Sequence, residues 1–223
     1  MTPVNSRRFQ FSDIPHEWLP DDVTSASFRI VGCDENGYGA IAGPLLTTGV
    51  VIPAGIELHP DLRDSKALPP RSARILSVAR WVYDNCEVFF EEVGSAEIDR
   101  VGVYEANRRS YSRIIERARA DLAIVDGIMK IDTQHHYVST PKGERFAPVA
   151  AASIAGKVYR DTIMLALDGL FPDYRFDNAA YGKAAIDALI AHGRHSPIHR
   201  RSYNIRALPP EMANTPHYRI GGS

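Results

Sequence analysis

Apolar positions in this chain follow two patterns. Short apolar or β-branched runs occupy 28–33 (FRIVGC), 45–52 (LLTTGVVI), 87–93 (EVFFEEV) and 122–125 (LAIV), with a shorter one at 136–139. Runs of this length predict strands. The first ends at Asp34, the second at Pro53, and the fourth at Asp126-Gly127. Helical spacing takes over in 69–83, through Ile75, Leu76, Ala79 and Val82, and in 104–119, through Tyr111, Ile114, Ile115 and Ala118. Further helices are predicted over 148–170, which opens on small residues, and over 182–191, which Gly193 stops. Strands that come first as a group and then alternate with helices predict an α/β fold, a mixed central sheet covered by helices.

Residues 1–27 show no sustained period and read as an extension packed over the domain through Phe9 and Trp18. Residues 28–207 read as one domain, and 208–223, rich in Pro, as a tail. The 223 residues are 44% hydrophobic, enough for a sizeable core and too apolar for a disordered chain. No apolar stretch approaches the ~20 residues of a membrane span, and charges occupy the amino end where a signal peptide needs its apolar region. A soluble, cytoplasmic, monomeric protein with no membrane partner is therefore expected. The two cysteines, Cys33 and Cys86, have neither disulfide nor zinc-ligand spacing and read as small hydrophobes. A formal charge of −1 gives no global field for a nucleic acid, so any such partner must use a local patch.

Candidate chemistry lies in the carboxylates. Asp34-Glu35, just before a Gly-rich turn, and Asp126, before Gly127, sit at the ends of apolar strands, where loops of α/β sheets gather ligands. Each acid alone also suits a turn or a helix cap. Together, ionised carboxylates on apolar strands need a positive partner, and a divalent cation with oxygen ligands is the cheapest. Ser153, Lys157 and Asp161, spaced i, i+4 and i+8, share one stripe of the 148–170 helix. The stripe interrupts a small, apolar run, so it is expected to face the carboxylates rather than water.

Six segments in order, DENGYGAIAGP at 34–44, DSKAL at 64–68, EIDRVGVYEANR at 97–108, IVDG at 124–127, AAASIAGKVYRD at 150–161 and SPIHRRSY at 196–203, resemble ribonuclease HII across 28–205. The resemblance implies a ribonuclease H-like fold. It also implies an endonuclease that cuts the RNA strand of RNA–DNA hybrids and the 5′ side of ribonucleotides embedded in duplex DNA. The family's catalytic acids fall on Asp34, Glu35, Asp126 and Asp161, which would hold two Mg²⁺ or Mn²⁺ ions and leave 5′-phosphate and 3′-hydroxyl ends. The ribose-sensing Gly-Arg-Gly turn of the family is Gly37-Tyr38-Gly39 here. Its glycines are kept, and the guanidinium is lost. Tyr181 matches the family's sugar-stacking tyrosine, the Lys that usually precedes it is missing, and Gly102 stands where the family has Asn.

By the same matching Lys66, Ser153 and Lys157 become phosphate contacts. The segment 181–206 carries Lys183, Arg194, Arg200, Arg201 and Arg206 against Asp187 alone, with Tyr181 and Tyr203 interleaved. That composition suits a nucleic-acid surface, with Arg200 and Arg201 at its centre, and equally a solvated turn. The Arg-rich face of 108–119 reads as solvated, and adjacent His135 and His136 point to opposite faces of a strand and do not chelate together. A non-catalytic nucleic-acid-binding protein on the same fold is the alternative, and the four intact acids speak against it.

Overall fold

The computed structural model describes residues 7–19, 28–62 and 68–213, and in it the apolar runs form one five-stranded mixed sheet. The strands are β1 (Ile30–Asn36), β2 (Leu45–Val51), β3 (Glu87–Val93), β4 (Leu122–Asp126) and β5 (Tyr137–Thr140), in the order β3-β2-β1-β4-β5. Central β1 pairs in parallel with β4, and β4 in parallel with β5. The helices are α1 (Ala73–Asn85), α2 (Ser95–Val101), α3 (Val103–Ala118), α4 (Ala147–Leu170), α5 (Gly182–His192) and α6 (Pro210–Ala213). Ser72 caps α1 by accepting the Ile75 amide at 3.3 Å.

Two details differ from the sequence pattern. β1 continues through Asp34 and Glu35 to Asn36, because alternate side chains leave the strand on opposite faces while the backbone keeps its ladder. The short α2, separated from α3 by Gly102 at φ 85°, has too few residues to display a period of its own.

The described residues form two compact units. The first holds the chain up to Asn36, Thr47–Glu91 and Arg108–Val158, and the second holds Gly37–Leu46, Glu92–Asn107 and the chain from Tyr159 onward. In the first unit the sheet is covered on both faces. Ile30, Val50, Leu122 and Ile124 pack with Ile75, Val78 and Val82 of α1 and with Val149–Ala155 of α4. On the other face Val31, Cys33, Ala123 and Val125 pack with Tyr111, Ile114, Ile115 and Ala118 of α3. A Cβ on Gly32 would lie 2.2 Å from the Pro148 carbonyl carbon, so glycine there is what lets α4 rest directly on β1. Both cysteines are free, Cys33 fully buried and Cys86 half-buried.

Phe9 is buried and Trp18 packs against the same core, so residues 7–19 lie on the first unit. The second unit is built around Ala40–Ala42, Met164, Tyr174, Phe176, Leu189 and Met212, with a smaller cluster of Leu45, Val93, Ile98 and Ala106. No helix among the described residues is long and apolar enough to cross a membrane.

Candidate active site

Strand periodicity builds the acidic site. Val31, Cys33 and Glu35 face α3, whereas Ile30, Gly32 and Asp34 face α4. The parallel register pairs Cys33 with Val125, and one step further sets Asp34 beside Asp126 on the α4 face. Asp34 accepts the Glu35 amide at 2.9 Å and a hydrogen bond from the Ser153 side chain. These bonds favour its charged form, but burial, then the charges of Glu35 and Asp126, outweigh them and push its carboxyl up to about 7. Asp126 is oriented from outside the sheet, accepting the Gly143 amide at 2.6 Å.

Glu35 is held from the opposite layer, where the Tyr111 hydroxyl donates to its Oε2. Tyr111 is fully buried, and burial, then the Glu35 and Asp34 charges, raises its phenol far above the usual range. It therefore stays a proton donor at every working pH. In the sequence it passed for an ordinary apolar helix position. The available signal was that a buried tyrosine hydroxyl needs a partner.

Asp161 lies on α4 two turns beyond Ser153, within the second unit, and is 8% exposed. Ser153 and Lys157 are half-buried on the same helix in the first unit. Among the described residues no three His, Cys, Asp or Glu side chains are gathered closely enough to close on one ion by themselves. The donors around Asp34 are nonetheless carboxylate and hydroxyl oxygens, partly desolvated. That chemistry suits a hard divalent cation whose remaining ligands are water and phosphate.

The glycine turn belongs to the second unit and is braced from within. Arg200, 1% exposed, donates to the carbonyls of Gly37 (2.6 Å), Tyr38 (3.1 Å) and Gly43 (3.0 and 3.1 Å) and to the Tyr203 hydroxyl (2.7 Å). Tyr203 in turn donates to the Tyr38 carbonyl at 2.5 Å. Arg160, equally buried, donates to Pro44, Ala179 and Ala42 carbonyls. Gly37 adopts φ +93°, and a Cβ there would stand 2.3 Å from Arg160 Nε. At Gly39 a Cβ would meet no protein atom within 4 Å, so the backbone lies open to a ligand.

A family model described as Ribonuclease HII matches residues 31–205. The chain belongs to the ribonuclease HII family. It is 38% identical over 186 residues to the Ribonuclease HII of Thermus thermophilus, covering 81% of this chain and 89% of that protein. The Ribonuclease HII of Anaplasma phagocytophilum is 35% identical over 181 residues, covering 78% and 85%. Among solved structures, a chain of the PCNA:RNase HII complex from Archaeoglobus fulgidus superposes with a TM-score of 0.67 at 25% identity, covering 82% of this chain and 99% of that one. The ribonuclease HII relationship makes this an endoribonuclease of ribonuclease H type 2 on a ribonuclease H-like fold.

The other residues singled out in the ribonuclease HII pattern fall in different surroundings. Tyr38 and Tyr181 are exposed, the latter at the N-cap of α5 with its ring 5.3 Å from the Arg160 guanidinium. Arg200 faces inward and shapes the turn, an arrangement that a basic run in the sequence does not reveal. Arg201 is half-buried, its amide 3.0 Å from Asp99, which also receives the Ser202 amide. Lys66 lies outside the described residues. Neighbouring His199 is buried beside Ser196. Burial, then the nearby His195, Arg201 and His192, pushes it down to about 3, so it is a neutral packing residue. His136 sends its Nε2 to the Trp18 carbonyl at 2.9 Å.

Proposed function

We propose that this ribonuclease HII hydrolyses the RNA strand of RNA–DNA hybrids and cuts 5′ of ribonucleotides embedded in duplex DNA, as a cytoplasmic monomer using Mg²⁺ or Mn²⁺. The observation that carries the reading is the half-buried convergence of Asp34, Glu35 and Asp126 at the paired ends of β1 and β4. Such like charges are costly in an unliganded protein and become favourable when divalent cations share them.

Asp34, Glu35, Asp126 and Asp161 would hold two such ions. When bound, such ions would supply activation of a water for attack on the phosphodiester and stabilisation of charge on the departing 3′ oxygen. The chain's own residues set the conditions. Ser153 and the Glu35 amide orient Asp34, Gly143 orients Asp126, and Tyr111 orients Glu35 by donating a proton it never gives up. Cleavage breaks the bond from phosphorus to the 3′ oxygen, giving 5′-phosphate and 3′-hydroxyl ends.

Recognition falls to the Gly37-Tyr38-Gly39 turn, whose open backbone at Gly39 lets main-chain groups approach a ribose 2′-hydroxyl. Tyr181 offers a stacking face, and Lys66, Ser153, Lys157 and Arg201 offer phosphate contacts. Arg200 contributes through the shape it gives the turn.

The deciding experiment incubates the protein with an all-RNA/DNA hybrid and with a duplex carrying one ribonucleotide, each with Mg²⁺ or Mn²⁺. Cleavage of both is expected. Binding without cleavage of either would make the chain a nucleic-acid-binding protein on a nuclease fold. Cleavage of the hybrid alone would show that the Tyr38 turn has lost junction recognition.

A further inference from the structure

We infer that the amino-terminal arm, residues 7–19, is a positioning element of the active site, acting through Trp18 and Phe146 on the Gly143 amide that holds Asp126. The inference rests on the reading of Asp126 as a metal ligand.

The arm is docked by backbone bonds from Leu58 to Arg7 (2.8 Å), from Phe9 to Ile56 (3.0 Å) and from Gly55 to Phe9 (2.9 Å), and it buries Phe9 and Ile14. At its far end the Trp18 ring lies 5.1 Å from Phe146, and the Trp18 carbonyl meets His136 beside β5. Phe146 closes the 3-10 turn Gly143–Arg145 by donating its amide to the Gly143 carbonyl at 2.9 Å, and the Arg145 guanidinium lies over the Phe146 ring at 4.8 Å from its centroid. The turn has little slack. A Cβ on Gly143 would stand 3.1 Å from the Asp126 oxygen that its amide already binds. Lys142 leads into it at φ 60°, ψ 40°, a backbone state that costs energy in any residue but glycine and persists where surrounding packing enforces it. Trp18 packs on Phe146 at the end of this turn, from a segment well away from the catalytic motifs.

The test uses the full chain and reads Gly143 directly, by amide hydrogen exchange, alongside Mn²⁺ binding by calorimetry and cleavage of an RNA–DNA hybrid. In Trp18→Ala the Gly143 amide is expected to exchange about tenfold faster. Mn²⁺ affinity and kcat are each expected to fall by about tenfold, as when an outer partner of a metal ligand is lost, while KM for the hybrid holds. Trp18→Phe, which keeps a ring against Phe146, is expected to restore most of each loss. Should Trp18→Ala fail to fold, His136→Leu removes only the contact to the Trp18 carbonyl and is expected to speed Gly143 exchange by about threefold. Wild-type exchange and wild-type Mn²⁺ affinity in a folded Trp18→Ala protein would overturn the inference, as would unchanged exchange in His136→Leu. A wild-type chain that neither binds Mn²⁺ nor cleaves would instead refute the metal reading itself, and the Gly143 exchange rates would still report whether the arm holds the turn.

Discussion

Replacing Asp34 by Asn should make the metal-free protein more stable while abolishing cleavage. The Asp34 carboxyl rises from its ordinary 3.8 to about 7 on folding. Between those values the folded chain keeps a proton that the unfolded chain has released, so stability falls as pH rises through the interval and stays low above it. At about 1.4 kcal/mol for each tenfold change in proton affinity, the shift has a ceiling of about 4 kcal/mol. Asp34 is only half-buried by area, and an Asn amide group must find its own partner among groups arranged for a carboxylate. Together these reduce the expected gain at pH 8 to about 2 kcal/mol. For a chain of this size that is about 4–8 °C in Tm. Thermal unfolding in EDTA at pH 8 and pH 4.5, on wild type and Asp34→Asn, measures it. The variant should melt higher at pH 8, and the gap should shrink sharply at pH 4.5. Adding Mn²⁺ should raise the wild-type Tm more than the variant's. Equal Tm at pH 8, or a gap of the same size at both pH values, would refute the claim that charge repulsion and burial strain this site.

Three other outcomes follow from contacts described above. Tyr111→Phe leaves Glu35 without its buried donor and should cost about 1.5–3 kcal/mol in chemical denaturation, with kcat reduced about tenfold. Arg200→Ala strands the carbonyls of Gly37, Tyr38 and Gly43 and should destabilise by about 3 kcal/mol or more; Arg200→Lys keeps the charge but not the fork, and in steady-state kinetics should raise KM severalfold. Tyr38→Arg should steepen the salt dependence of hybrid binding by about 0.9 in log Kd against log salt, and raise the ratio of junction to hybrid cleavage. An unchanged slope would mean the side chain at 38 does not meet phosphate.

Much of this architecture was legible in the sequence because it rests on local patterns. The strand LAIV and the helix bearing Ile114 and Ile115 have periods that survive in the fold. The family motifs carried the four acids. What stayed hidden depends on long-range partners. Tyr111 lies 76 residues from Glu35, and no periodicity distinguishes a tyrosine that fills a core from one that also orients a carboxylate. Arg200 sits in a basic run that reads as solvent-facing, yet its partners are carbonyls of the glycine turn more than 150 residues earlier. The Gly143 amide bond to Asp126 has no side-chain signature at all.

The alternation of β1 gives the two neighbouring acids separate masters. Asp34 answers to Ser153 on α4, and Glu35 to Tyr111 on α3. Substitutions in one helical layer therefore reorient one carboxylate directly and reach its chain neighbour only through the charge the two share. Inserting one residue earlier in β1 would exchange their environments at a stroke.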